Sequence, residues 1–116
     1  MPGIVAILFM LTVSLALNAQ EYAPLKGEYY FAGKTLIDPP DDEAHDTHMR
    51  IALTGNAARD LYSAMKVPAK ADRCEPDKLV KIIGGMQCTS AAHDRTFECN
   101  FSIDIANQRI AGATAC

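Results

Sequence analysis

The chain has 116 residues, with 14 acids against 11 Lys and Arg, for a net charge of −3 when its three histidines are neutral. That balance excludes the basic platform that holds a phosphate backbone, so nucleic acid is not an expected partner. The length allows one small domain and not two.

The first twenty residues read MPGIVAILFMLTVSLALNAQ. Residues 4–17 are apolar or small, interrupted only by Thr12 and Ser14. Such a run falls short of the about 20 residues that span hydrocarbon but suits the apolar core of a secretory signal. Ser14-Leu15-Ala16 and Leu17-Asn18-Ala19 each end in a small side chain that a signal peptidase accepts. Cleavage after Ala19 is preferred, because Gln20-Glu21 then opens a polar mature chain. No Lys or Arg precedes the run, which leaves an uncleaved anchor as the alternative. Residues 1–19 are therefore expected to be a signal peptide. The mature protein is expected to be periplasmic or extracellular and free of the membrane.

Export changes the reading of the cysteines. All four (Cys74, Cys88, Cys99 and Cys116) follow the signal, and an even count in a short exported chain argues for two disulfides. Each would contribute about 3 kcal/mol, chiefly by restricting the unfolded chain. Of the three possible connectivities the local one, Cys74–Cys88 with Cys99–Cys116, is the first expectation. Cys88–Cys99 with Cys74–Cys116 is next, since Cys88 and Cys99 face the same side of neighbouring strands.

Residues 20–46 carry two lysines and seven acids, and turn residues punctuate them at Pro24, Gly27, Gly33, Pro39 and Pro40. This stretch reads as an irregular acidic segment with two short strands, residues 28–31 and 35–37, joined by Ala32-Gly33-Lys34. Pro39-Pro40 ends any ladder there, since proline has no amide proton to donate.

Residues 47–116 read as a compact disulfide-braced domain. Residues 48–53 alternate, with Met49, Ile51 and Leu53 on one face, and predict a half-buried strand. Residues 57–65 follow helical spacing, with Ala57, Leu61 and Ala64 stacked and Ala58, Tyr62 and Met65 beside them. Thr54 or Asn56 would cap this helix and Pro68 would close it. At about ten residues it is too short to stand alone and must dock on a sheet. A polar connector bearing Cys74 follows. Residues 79–83 and 86–90 then predict two strands joined at Gly84-Gly85, a strong hairpin signal. Residues 96–103 alternate, with Phe97, Cys99, Phe101 and Ile103 facing in, and Glu98, Asn100, Ser102 and Asp104 facing out. A last short strand surrounds Ile110. The expected fold is α+β: a small antiparallel β-meander with one short helix packed on it, braced by two disulfides.

The stretch IDPPDDEAHDTH carries the densest functional side chains. His45, His48 and Asp46 are candidate ligands for a divalent metal. The stretch lacks both the glycine and the ligand cadence of a calcium loop, so a solvated acidic spacer is the preferred reading. Asp41, Asp42, Glu43 and Asp46 would form a patch for a basic protein partner. Three cysteines with His93 could compose a zinc site, but no two cysteines lie closer than eleven residues, so disulfides are preferred. Asn100-Phe101-Ser102 matches the N-glycosylation pattern within a strand and is read as chance.

No G-x-S-x-G or other assembled catalytic set is present, and His93-Asp94 is a chance adjacency in a turn. No cofactor is expected. The sequence favours a small exported non-enzymatic binding domain, an inhibitor of or accessory to another envelope or secreted protein. The alternative is an envelope metal-binding protein using residues 38–48.

Overall fold

A computed structural model describes Gly3 and residues 21–115. The expected signal peptide, Gly3 aside, lies outside the described residues, as does Cys116. The described residues form seven strands and one helix: β1 (Lys26–Ala32), β2 (His48–Thr54), α1 (Gly55–Ala64), β3 (Lys70–Ala71), β4 (Lys78–Ile83), β5 (Met86–Ala91), β6 (Thr96–Asp104) and β7 (Arg109–Ala111). All pairings are antiparallel, in the order β1-β2-β6-β5-β4-β3. No helix among the described residues is long and apolar enough to cross a membrane.

Two expected strands in the acidic segment become one. Residues 28–31 extend into β1, which pairs along its whole length with β2, from Lys26 opposite Thr54 to Ala32 opposite His48. Residues 35–37 form no strand. Their intended partner is held instead by β2, whose seven residues offer a longer ladder than a local hairpin could.

The final strands follow their alternation. Gly84 takes φ +56°, as the first residue of a two-residue turn requires, so Ile83 and Met86 close the β4–β5 hairpin. β6 is the central strand. It pairs with β2 along one edge, while β5 and β7 share the other edge end to end. β5 takes Thr96 to Asn100 and β7 takes Ser102 to Asp104.

The local disulfide pairing is overturned. Cys88 and Cys99 are directly opposed in the β5–β6 register and are bonded to each other, with Cα atoms 4.0 Å apart. Adjacent antiparallel strands bring facing side chains closer than any connector can. Both sulfurs are fully buried beneath α1. Ala58 and Met65 complete that core, with Leu53, Leu61, Tyr62, Val67 and Phe97 packed against it. Cys99 Sγ lies 3.5 Å from the Ala58 carbonyl oxygen, a packing contact only, because a bridged sulfur has no proton to donate.

Of the two expected helical stripes, the Ala58–Tyr62–Met65 stripe with Leu61 meets the sheet, and Ala64 is exposed. Thr54 is the N-cap residue but its side chain makes no capping bond. At the other end Lys81 Nζ donates to the carbonyls of Tyr62 (3.1 Å) and Met65 (3.2 Å). A cation on the last carbonyls satisfies them and complements the helix dipole.

The opposite face of the sheet is covered in part, which corrects the expected outward positions of Ser102 and Asp104, while Glu98 stays exposed. Ser102 and Asp104 are 0% and 2% exposed. The 33–47 loop folds back over this face. Arg50, itself buried, donates from Nη2 to the carbonyls of Gly33 (2.9 Å) and Thr35 (3.0 Å). The C-terminal tail covers more of it: Ser102 Oγ donates to the Gly112 carbonyl at 2.9 Å, and Thr114 Oγ1 to Gln87 Oε1 at 3.0 Å.

Candidate binding surface

The acidic stretch is folded, and its residues have separate fates. Glu43 is an internal anchor: Thr35 donates to its carboxylate from Oγ1 at 2.5 Å and from its amide at 3.3 Å. These bonds hold Glu43 below the usual carboxylate range, the hydroxyl being the larger cause. Gly33 sits so close to the Ala44 carbonyl and the Glu43 carboxylate that no Cβ fits there. Asp38, Asp41, Asp42 and Asp46 are exposed, and among the described residues none has an ion pair or hydrogen bond through its side chain.

His45 and Asp46 are exposed, whereas the His48 side chain is 14% exposed and turned into the fold. The three do not converge. Among the described residues no group of three His, Cys, Asp or Glu side chains could hold a metal ion.

His48 belongs to a different cluster. Its Nδ1 is 2.8 Å from Thr47 Oγ1, and its Nε2 is 3.7 Å from Asp104 Oδ2. The second separation is too long for a hydrogen bond. Asp104 is already engaged: Asn107 donates from Nδ2 (2.9 Å) and its amide (3.3 Å), and Arg109 from Nε (3.1 Å). These bonds, Asn107 first, hold the Asp104 carboxyl below its usual range against the opposing effect of burial. Ile105 N donates to the Thr47 carbonyl at 3.0 Å. The cluster is a clasp that ties the entry of β2 to the turn after β6. Asn107 and Arg109 were not legible as members, because they meet Asp104 only through that turn.

The surface that stands out is apolar. On the helix-bearing face the register aligns Tyr29 and Phe31 of β1, Met49 and Ile51 of β2, Phe101 and Ile103 of β6, and Ile110 of β7. α1 is ten residues, about 15 Å long, and β6 is nine residues, about 30 Å long. One short helix therefore covers one half of the face. It covers the half bearing Leu53, Phe97, Cys88 and Cys99. In the other half no residue is buried, and Tyr29, Phe31 and Ile110 remain 64%, 52% and 51% exposed. β1 borders it as an edge strand, its outer edge unpaired among the described residues. Tyr29 and Phe31 meet edge to face, ring centroids 6.3 Å apart.

The acidic loop lies at the same end of the sheet. It joins Ala32 to His48, which directly follow Phe31 and precede Met49. The loop leaves the sheet at the end that bears the apolar patch but crosses the opposite face, and it carries four uncommitted carboxylates there.

No protein-family model, curated protein or solved structure matches this chain.

Proposed function

We propose that the chain acts outside the cytoplasm, after loss of residues 1–19, as a non-enzymatic binding domain for a basic protein with an apolar contact surface. The observation that carries this reading is the uncovered half of the helix-bearing face. Contiguous exposed apolar surface beside an unpaired strand edge supports protein association. Asp38, Asp41, Asp42 and Asp46, on the loop over the other face, add negative charge that would steer a basic partner's approach more than its affinity. Inhibition of a secreted cationic enzyme is one concrete form of such a role.

A second bridge, Cys74–Cys116, belongs to the same reading. Cys74 is disulfide-bonded, and Thr114 and Ala115 line the same depression as Cys74. Intact mass of the exported chain tests compartment and bridging together. Loss of residues 1–19 with a mass about 4 Da below the all-thiol value is expected. An uncleaved chain or free thiols would refute the export reading.

The binding reading is tested by site-specific photo-cross-linking in the producing cells, with the probe at Phe31 or at Arg73 outside the patch. A discrete protein adduct from position 31, absent from position 73, is expected. It should weaken when Asp38, Asp41, Asp42 and Asp46 are changed to Asn. No adduct at 31, or equal adducts from both positions, would refute the reading.

A further inference from the structure

The acidic balance of the chain is reversed at one place. A cavity of about 450 Å³ opens where β2 passes into α1, and Lys26, Arg59, Lys78 and Arg95 line it against a single carboxylate, Glu98. More than a third of the 11 Lys and Arg residues of a net-negative protein therefore face one concavity. The volume is within the range of small-ligand sites.

The register explains the convergence. Lys26, Thr54 and Glu98 stand in line across β1, β2 and β6 on one face, and Lys78 reaches the same face from β4 opposite Ala91. Arg95 ends the β5–β6 turn beside them, and Arg59 comes from the first turns of α1. Lys26 and Arg95 have no ion pair or side-chain hydrogen bond among the described residues. Arg59 and Lys78 do pair, with Asp60 at 3.2 Å and Glu75 at 2.9 Å, but neither acid lines the cavity. Both are partly solvent-exposed pairs, weak enough for a bound anion to displace. The α1 start adds to the field: its first turn contains no acid, and no side chain caps its amides.

We propose that this cavity binds a small multiply charged oxyanion, a phosphate- or sulfate-bearing molecule held by Lys26, Arg95, Arg59 and Lys78. The site is independent of the apolar patch. Arginine supplies paired N–H groups to such an anion, and lysine supplies compact charge. Glu98 opposes the anion and weakens binding.

The test is an amide NMR titration of the oxidised mature protein with inorganic phosphate, pyrophosphate and sulfate, at ionic strength held constant with sodium chloride. Saturable shifts centred on Gly55, Asn56 and Thr96 are expected, with pyrophosphate the tighter of the two phosphates. The Lys26→Ala/Arg95→Ala variant should bind at least about tenfold more weakly, and Glu98→Gln a few-fold more tightly. Lys26 and Arg95 are exposed, so an unchanged remainder of the spectrum reports that the double variant is folded. A response to the phosphates alone, or to sulfate alone, supports the proposal and names the ligand class. Absence of saturable shifts, identical shifts with chloride, or undiminished binding by the double variant would overturn it.

Discussion

Replacing Phe31 and Ile110 by threonine measures directly how bare the apolar face is. Threonine keeps strand propensity, so the loss reports burial rather than backbone preference. Full burial of a Phe or Ile side chain is worth about 1.5–3 kcal/mol. At 52% and 51% exposure each residue has only about half of that to lose, so Phe31→Thr and Ile110→Thr should each cost about 1 kcal/mol. The two lie on β1 and β7, with β2 and β6 between them, roughly 14 Å apart at strand spacing. At that distance their effects add, for about 2 kcal/mol in the double variant. Urea unfolding followed by tyrosine near-UV circular dichroism is the assay, since the chain has four Tyr and no Trp. With a slope of about 2 kcal/mol per molar, the double variant should shift the midpoint by about 1 M. A core Phe costs about 3–5 kcal/mol on truncation. A combined loss of about 6 kcal/mol or more would show that the face is covered in the isolated chain, and the reasoning for a docking surface would fall.

Arg50→Met removes the buried guanidinium that holds two loop carbonyls and should cost about 3 kcal/mol, while Arg50→Lys restores less than half because an ammonium lacks the fork. Hydrogen exchange across residues 33–47 should quicken in both; unchanged exchange would mean the loop is held by other contacts. Cys88→Ala/Cys99→Ala should lose about 3 kcal/mol, and in the native protein the buried bridge should resist thiol reductants until urea opens the fold. Asp104 and Glu43 both have folded-state carboxyls held below their usual range, so their contribution is complete above about pH 5 and is lost as pH falls through the lowered values. Stability should therefore decline on acidification below that point, and Asp104→Asn should flatten the decline; an unchanged pH profile of the urea midpoint would exclude Asp104 as a source.

Local chemistry determined most of the elements on its own. Alternation in β2 and β6, helical spacing after Thr54 and the diglycine between β4 and β5 are each specified within about ten residues, and each forms where that pattern lies. The apolar phase was legible in the same sense, because Met49, Ile51, Phe101 and Ile103 share one face of their strands, but that this part of the face stays uncovered was not. What the sequence could not state is which strand lies beside which. Placing β6 between β2 and β5 opposed Cys88 to Cys99 and set aside the local pairing. The same placement laid the β1–β2 loop and the C-terminal tail across the second face, burying Ser102 and Asp104 at positions whose alternation pointed to solvent. Period-2 alternation reports which face a side chain takes but not what covers that face. Covering depends on contacts between residues distant in the chain, such as Arg50 with Gly33 or Ser102 with Gly112, and on the length of one ten-residue helix against a nine-residue strand. That mismatch in length, settled only once the helix docks, leaves half of an apolar face bare.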